Sequence, residues 1–540
     1  MEQNGKKNFW QRLTTFDVPD GEFELLETET GEPPLFGRKK NGDGQQSAPE
    51  EENDDIPAGI RDVKDRFFRE LHGEINTDVI LRPFLIGGVL PALAVFMNGM
   101  ADSDQINDFI LKPAMRGNAM RHAEGDNAKF VLHSVFTMQE AELTKSWNDA
   151  KEAAKEGRTA VFLEGETCAI LMDTRGYISR SVGTPQNETV VLGPNEAFTE
   201  NIRTNVTLIR RIVKTDDLVV EFHPSGGRNR NRIAILYRAG VTNPALLAEV
   251  KRRFSAVNTL MVLSIGTLEQ LTERHPFCPI PQSLTTERPD RVAAYIMQGH
   301  VGVLCEGSPH GALMPATLFS LMRSGQDAYL RQPIGTLIRI VRYLGALLSI
   351  LMPAYFLALA LHHQGMLSAE ILATVSASRS MVFLPIGVEL VFLLLVFQLV
   401  REAAISVPGA MGQSIGIIGG LVLGQAAVSA NIVSTVVLIV VALSGLGNFA
   451  IPDMGTQLAA SYFRIFLVLL AWLGGLLGFV TGILLAGAYL ASLKSYGLPF
   501  LAPYAPKVFS NGPVLVRGRV TMHRNPADEM NPVEGGRACS

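Results

Sequence analysis

From Ile334 to Leu493 the chain is a series of apolar blocks, and the stretch Phe466–Ala491, FLVLLAWLGGLLGFVTGILLAGAYLA, carries no charge. About 20 consecutive apolar residues are enough for a helix to cross the hydrocarbon core of a bilayer. A helix lying on a soluble core alternates apolar and polar faces, and this stretch does not. The first two-thirds of the chain has no comparable blocks. The pattern predicts an integral membrane protein with a large soluble head.

At 540 residues the chain is too long for one compact core. A net charge of −4 argues against a general nucleic-acid binder. Cys168, Cys278, Cys305 and Cys539 show no CxxC pairing and no metal-ligand spacing. They read as free thiols in a reducing compartment, with no metal or cofactor expected. Cys539 lies too near the end for a prenylation box. The opening MEQNGKKNFWQRLTTF lacks the apolar stretch of a signal peptide, which puts the head on the cytoplasmic side.

Residues 1–56 read as a disordered tail, with GEPP, GRKKNGDGQQS and the acidic run Glu50–Asp55. The head follows as two soluble α/β (α+β) subdomains, 57–215 and 216–330. VLPALAVFMNGM reads as a buried strand, and Ser103 as the N-cap of a helix, SDQINDFILKP, that Pro113 ends. ALLAEVKRRFSAV and TLEQLTER read as helices. GRTAVFLEGETCAILM (157–172) and GHVGVLCEGSPHGALM (299–314) share Gly157/Gly299, Val161/Val303, Glu164/Glu306, Gly165/Gly307, Leu171/Leu313 and Met172/Met314. Each reads as a hairpin, and the echo reflects either a duplication or convergence on hairpin grammar. The basic run Gly226–Arg232 reads as a solvated turn, with phosphate binding the alternative. PIPQSLTTERPD (279–290) reads as a linker.

An all-α membrane domain is expected over 331–500, and a cytoplasmic C-terminal tail over 501–540. Five apolar segments are read: 334–361, 382–400, 412–430, 432–451 and 463–493. Arg331, Arg339 and Arg342 flank the first, and Lys494, Lys507, Arg517 and Arg519 follow the last, so both flanks should be cytoplasmic. That requires an even number of crossings. The third segment, short and glycine-rich, is demoted to a re-entrant or half helix, leaving about four spanning helices. Glu389, Gln413 and Gln425 are the candidate ion-path residues, with Asn431, Asn448, Asp453 and Arg464 nearby. Intramembrane charge is costly, so a role in conduction stands beside a structural one for Glu389. Arg339 and Arg342 read as snorkelling to the interface.

Gly412–Gly416 matches GxSxG, but it opens a membrane segment, and the only later histidine is His523. With no HExxH, Walker or dinucleotide motif, no enzyme activity is expected.

Other stretches carry a resemblance. NTDVILRPFLI with VFMNGMADSDQINDFILKP, LGPNEAFTENIRTNVTLIRRIV, PIPQSLTTERPDRV, GQSIGIIGGLVLGQAAV, NFAIP and SLKSYGLPFLAPYAP are similar to landmarks of the A subunits of GerA-type spore germinant receptors. The resemblance runs from about Ile60 to Pro506. The chain departs from the pattern at Cys278–Pro281, which lacks the usual phenylalanine, and over Ala256–Ser264, which lacks the usual acid.

The resemblance implies a subunit of the spore inner membrane that works with B and C subunits and forms a homo-oligomer. It further implies that germinant binding is converted into ion release. A dipicolinate-release paralogue and a secondary transporter are the alternatives, although no repeat marks the membrane region as a transporter's would.

Overall fold

The computed structural model describes residues 54–116, 127–176, 183–275, 277–406, 424–505 and 530. The chain divides into two compact units. One comprises 1–276, 283–315 and 524–540; the other comprises 277–282 and 316–523.

The first unit is built twice over. In its first half, helix α1 (Ile60–Glu70), strands β1 (Val79–Ile86), β2 (Leu90–Met97) and β3 (Ala141–Thr144), helix α2 (Trp147–Lys155), and strands β4 (Thr159–Leu163) and β5 (Ala169–Met172) make a five-stranded antiparallel sheet in the order β1-β2-β4-β5-β3. The second half repeats this with α3 (Ile202–Ile212), β6 (Leu218–Pro224), β7 (Arg232–Arg238), α4 (Pro244–Ser255), α5 (Ile265–Thr272), β8 (Leu284–Thr286), α6 (Pro289–Met297), β9 (Val301–Cys305) and β10 (Gly311–Met314). Its order, β6-β7-β9-β10-β8, is the same. Four elements are displaced by one constant offset (60 to 202, 147 to 289, 159 to 301, 169 to 311).

The match reaches single hydrogen bonds. Gly165 N donates to Ala58 O at 2.8 Å, and Gly307 N donates to Glu200 O at the same distance. Both turn glycines sit at positive φ, +85° and +80°, where a side chain would be strained. Convergence on a hairpin alone would not reproduce sheet order, spacing and turn anchoring together, so the echo is a duplication.

Burial explains the strand sequences. β4, β5, β9 and β10 are buried at every position, so they read as continuous apolar runs. In the first half, Trp147, Phe67 and Phe162 pack together beneath the sheet, with Phe67 and Trp147 rings 4.4 Å apart.

Several sequence expectations change here. Asp102, not Ser103, is the cap, accepting from Asp104 N at 2.9 Å. The helix then passes through a π turn (Ile106–Leu111), and Pro113 lies within its last turn, Lys112–Ala114, rather than ending it. The expected linker 279–290 is instead load-carrying structure: it contains edge strand β8, and Arg288 within it is fully buried, bonded to Asp290 and to the carbonyls of Glu188 and Pro194. Its prolines misled because Pro289 opens a helix, where a missing N–H costs nothing. Residues 54–56, assigned to the tail, belong to the fold: Asp54 accepts from Ser146 Oγ and Asn148 N, and Ile56 is buried. Helix α3, assigned to the end of the first subdomain, packs on β7, β9 and α6 of the second sheet.

The second unit is helical: α7 (Gln332–His362), α8 (Ala369–Arg379), α9 (Ile386–Ser406), α10 (Thr435–Phe449) and α11 (Met454–Ser492). By length and composition, α7 and α11 are the two helices able to cross a membrane among the described residues. Four spans are not established by that criterion. The segment read as one crossing over 463–493 is folded on itself. Gly475 has φ 58° and ψ −135°, and the two halves of α11 run antiparallel about it: Gly482 packs on Leu467 and Leu470, and Phe463 faces Tyr489.

Contacts fix the direction of each helix. Gly475 lies against His362 and His363 at the end of α7, whereas Gly447 lies against Gly345 nearer its start. Glu389 meets Ser434 at one end of the α9–α10 pair, and Phe397 meets Gly445 and Phe449 further along. Helix α10 therefore runs parallel to α9 and antiparallel to α7, where Ser444 meets Ser349 and Gly447 meets Gly345. Arg339 and Arg342 do not snorkel; both pair with Asp327, Arg342 at 2.8 Å.

Candidate functional site

Two places bring polar and charged side chains together. The first is a cleft of about 350 Å³ in the first unit. Asn98–Asp104 line one wall and the first turns of α3 line the other. Asn201 caps α3, its Oδ1 accepting from Arg203 N and Thr204 N. Glycine is required on the facing wall: a Cβ at Gly99 would fall 2.7 Å from Thr207 Oγ1, and one at Gly176 2.4 Å from Asp102 Cβ. Asp102 and Asp104 face Arg203 and Arg211 across the cleft, a layout suited to a small molecule bearing both charges.

Charge networks also run through the first unit. Burial alone would raise the carboxyls of Glu70 and Asp216. Hydrogen bonds outweigh that and hold both low: Glu70 accepts from Trp147, Arg66 and Lys151, and Asp216 from Lys155 and Lys151. The basic turn 226–232 has exposed arginines at 228, 230 and 232, and is bonded along the loop 259–262 through Asn229 and Asn231 to Val262 O.

The second place is the interior of the helical unit. Glu389 is fully buried and its Oε1 accepts from Ser434 N and Ser434 Oγ at 2.5 and 2.6 Å, at the N-cap of α10. Arg379 Nε lies 3.6 Å from its other oxygen. Glu389 thus ties three helices together. Gln425 is on the exposed face of its helix, and no described contact joins it to Glu389. Gln413 and the GxSxG motif lie outside the described residues.

Sequence reading underestimated a second cluster. Arg401 donates through Nη2 to Gln457 Oε1 at 2.8 Å and through Nη1 to the Asn448 amide oxygen at 2.9 Å. Arg464 donates to Ser444 Oγ and Ser461 Oγ, and Ser444 donates to Ser349 O. Gln457, Ser461 and Arg464 recur at helical spacing, the signal that could have placed them on one face. Among the described residues no group of His, Cys, Asp or Glu could hold a metal ion.

A family model described as "Bacillus/Clostridium GerA spore germination protein" matches residues 66–530. Spore germination protein A1 of Bacillus subtilis is 34% identical over 79% of this chain and 87% of its own length. Spore germination protein KA of the same organism is 31% identical over 80% and 79%. Stage V sporulation protein AF, also from Bacillus subtilis, is 27% identical over 76% and 83%. The crystal structure of the N-terminal domain of the A subunit of the Bacillus megaterium spore germinant receptor GerK3 is similar at a TM-score of 0.39 and 23% identity, over 49% of this chain and 97% of that domain.

Proposed function

Because the chain belongs to the Bacillus/Clostridium GerA spore germination protein family and acts in spore germination, we propose that it is the subunit that converts germinant binding into ion release. It would do so as a multi-pass protein of the spore inner membrane, with the first unit and the C-terminal tail on the cytoplasmic side and with B and C subunits as partners. The observation that carries the reading is Glu389, a carboxylate with no exposed surface among apolar helices. A buried charge in a membrane segment is costly and is retained where it serves transport or a switch. Its bonds to Ser434 would tie the α9–α10 contact to the occupancy of the path, so that a shift of α10 exposes the carboxylate to passing cations. Gln413 and Gln425 are proposed to lie along the same path.

The cleft of the first unit offers a point of control. A small polar ligand drawing its two walls together would bias the protein between closed and open states. A paralogous role in dipicolinate release, which the family resemblance also allows, is the second reading. Spore germination proteins A1 and KA share more identity with this chain than stage V sporulation protein AF does, 34% and 31% against 27%. Spores carrying Glu389→Ala at normal protein level decide the matter for the path: the reading expects slowed cation release on germinant addition, and unchanged release removes Glu389 from it.

A further inference from the structure

Arg401 and Arg464 bring two guanidinium groups into the apolar interior of the helical unit, at 7% and 1% exposure. Arginine keeps its charge where lysine would lose its proton, so burial is not relieved by neutralisation. Each then needs a counter-charge. Between residues 331 and 500 the sequence holds four acids, Glu370, Glu389, Glu402 and Asp453. Glu389 is engaged with Ser434 and Arg379, and Asp453 caps α11 through Thr456. Glu370 is exposed on α8. Glu402 offsets part of the charge of Arg401 from the exposed side. The interval 407–423 contains no ionisable side chain. Arg464 forms no ion pair among the described residues; its partners are two serine hydroxyls.

Those hydroxyls use their own protons elsewhere, Ser444 on Ser349 O and Ser461 on Gln457 O. The Nε–H of Arg464 is buried with no acceptor. A donor of this strength left without an acceptor in a dry interior is destabilising. We propose that Arg464, with Arg401 and the Asn448–Gln457–Ser461 bonds that position it, forms a binding site for one small monovalent anion of halide or formate size. The depth of Arg464 favours a free ion over a partner's carboxylate, which would have to part the helices to arrive. The site does not depend on the chain conducting cations.

The test uses the full-length protein in nanodiscs, at constant ionic strength, with chloride or formate exchanged against gluconate. Binding to the folded state raises the thermal midpoint by an amount that grows with the logarithm of anion concentration. The expected result is such a rise in chloride and in formate, with more than a tenfold loss of apparent affinity in Arg464→Gln and in Arg401→Gln. Chloride-35 line broadening on the unaltered protein reads the same site without any variant. Equal midpoints in chloride and gluconate with no excess linewidth overturn the proposal. So does a response that both variants retain, which would place the ion elsewhere, or variants stabilised only when a partner subunit is present, which would assign the counter-charge to that subunit.

Discussion

Arg210, on the helix that opens the second repeat, forms a buried ion pair with Asp78 at the start of the first repeat's leading strand. The guanidinium also donates to Asn76 Oδ1 at 3.1 Å and to Leu218 O at 3.3 Å. Asn76 in turn bonds Leu218 O and accepts from Val220 N, and Thr77 N donates to Val220 O. Here the two copies of the duplicated fold are joined both by charge and by backbone. The joint is a result of fusion: each copy alone would present one half of it to water.

Removing one partner strands the other charge in the interior. Arg210→Ala should cost about 3–5 kcal/mol, whereas the double variant Asp78→Leu/Arg210→Met should recover much of that loss. Thermal melts of the full-length protein in detergent read both. A loss below about 1 kcal/mol for the single variant would mean that the pair does not hold the repeats.

Cys305 on β9 has no exposed surface, and burial together with Glu306 pushes its thiol up to about 11. Cys168 is partly exposed. The thiolate is the reactive form, so in a Cys278→Ser/Cys539→Ser background Cys168 should react with maleimide at pH 8 on the order of a hundredfold faster. Equal rates would show that β9 opens readily, contrary to its place at the centre of the sheet.

What could be read from residues alone followed from periodicity and repetition. The two hairpins, the strand Leu90–Met97 and the helices Pro244–Ser255 and Ile265–Thr272 stand where the pattern puts them. The buried arginines did not show their roles, because a sequence gives no partner: Arg288 in a proline-rich stretch looks like a solvated linker until Glu188 and Pro194, about a hundred residues away, supply its acceptors. Gly475 was hidden for a related reason. One glycine among several in an apolar run carries no mark of the φ it adopts. Of the ion-path candidates, Glu389 stood out by charge, and its bond to Ser434 depends on helix packing that no spacing rule encodes.

Glu221 is buried between Tyr237, Lys251 and His223, with Tyr237 Oη donating at 2.6 Å and Lys251 Nζ within 2.7 Å. Burial would raise its carboxyl, but the bonds from Lys251, Tyr237 and His223 outweigh that and hold it below its ordinary 4.5. A carboxyl lower in the folded than in the unfolded state binds fewer protons when folded. Its stabilisation is therefore complete above about pH 4.5 and fades as pH falls through the folded-state value. Glu221→Gln should lower stability near pH 7 by roughly 1–3 kcal/mol and flatten the decline below pH 4.5. Melts at pH 3.5–7 compare the two slopes; parallel curves would mean that Glu221 is not held low.

The fold-back of α11 rests on Gly475. An unbroken helix over Met454–Ser492 would be about 58 Å long, nearly twice the roughly 30 Å hydrocarbon core. Broken at Gly475, its halves are about 31 and 25 Å. The backbone there is accessible to glycine and strained for other residues, and a Cβ would lie 2.8 Å from His362 Cβ and 2.9 Å from the His363 ring. Gly475→Ala should therefore cost about 2 kcal/mol or more, while Gly474→Ala, whose Cβ meets nothing within 4 Å, should be neutral. Membrane-impermeant maleimide then checks the direction of the chain. Single cysteines at Gly455 and Lys494 should label from one side of the membrane, and cysteines at His363 and Gly474 from the other. Labelling of Gly455 and Lys494 from opposite sides would rule out the antiparallel pair and restore a single crossing.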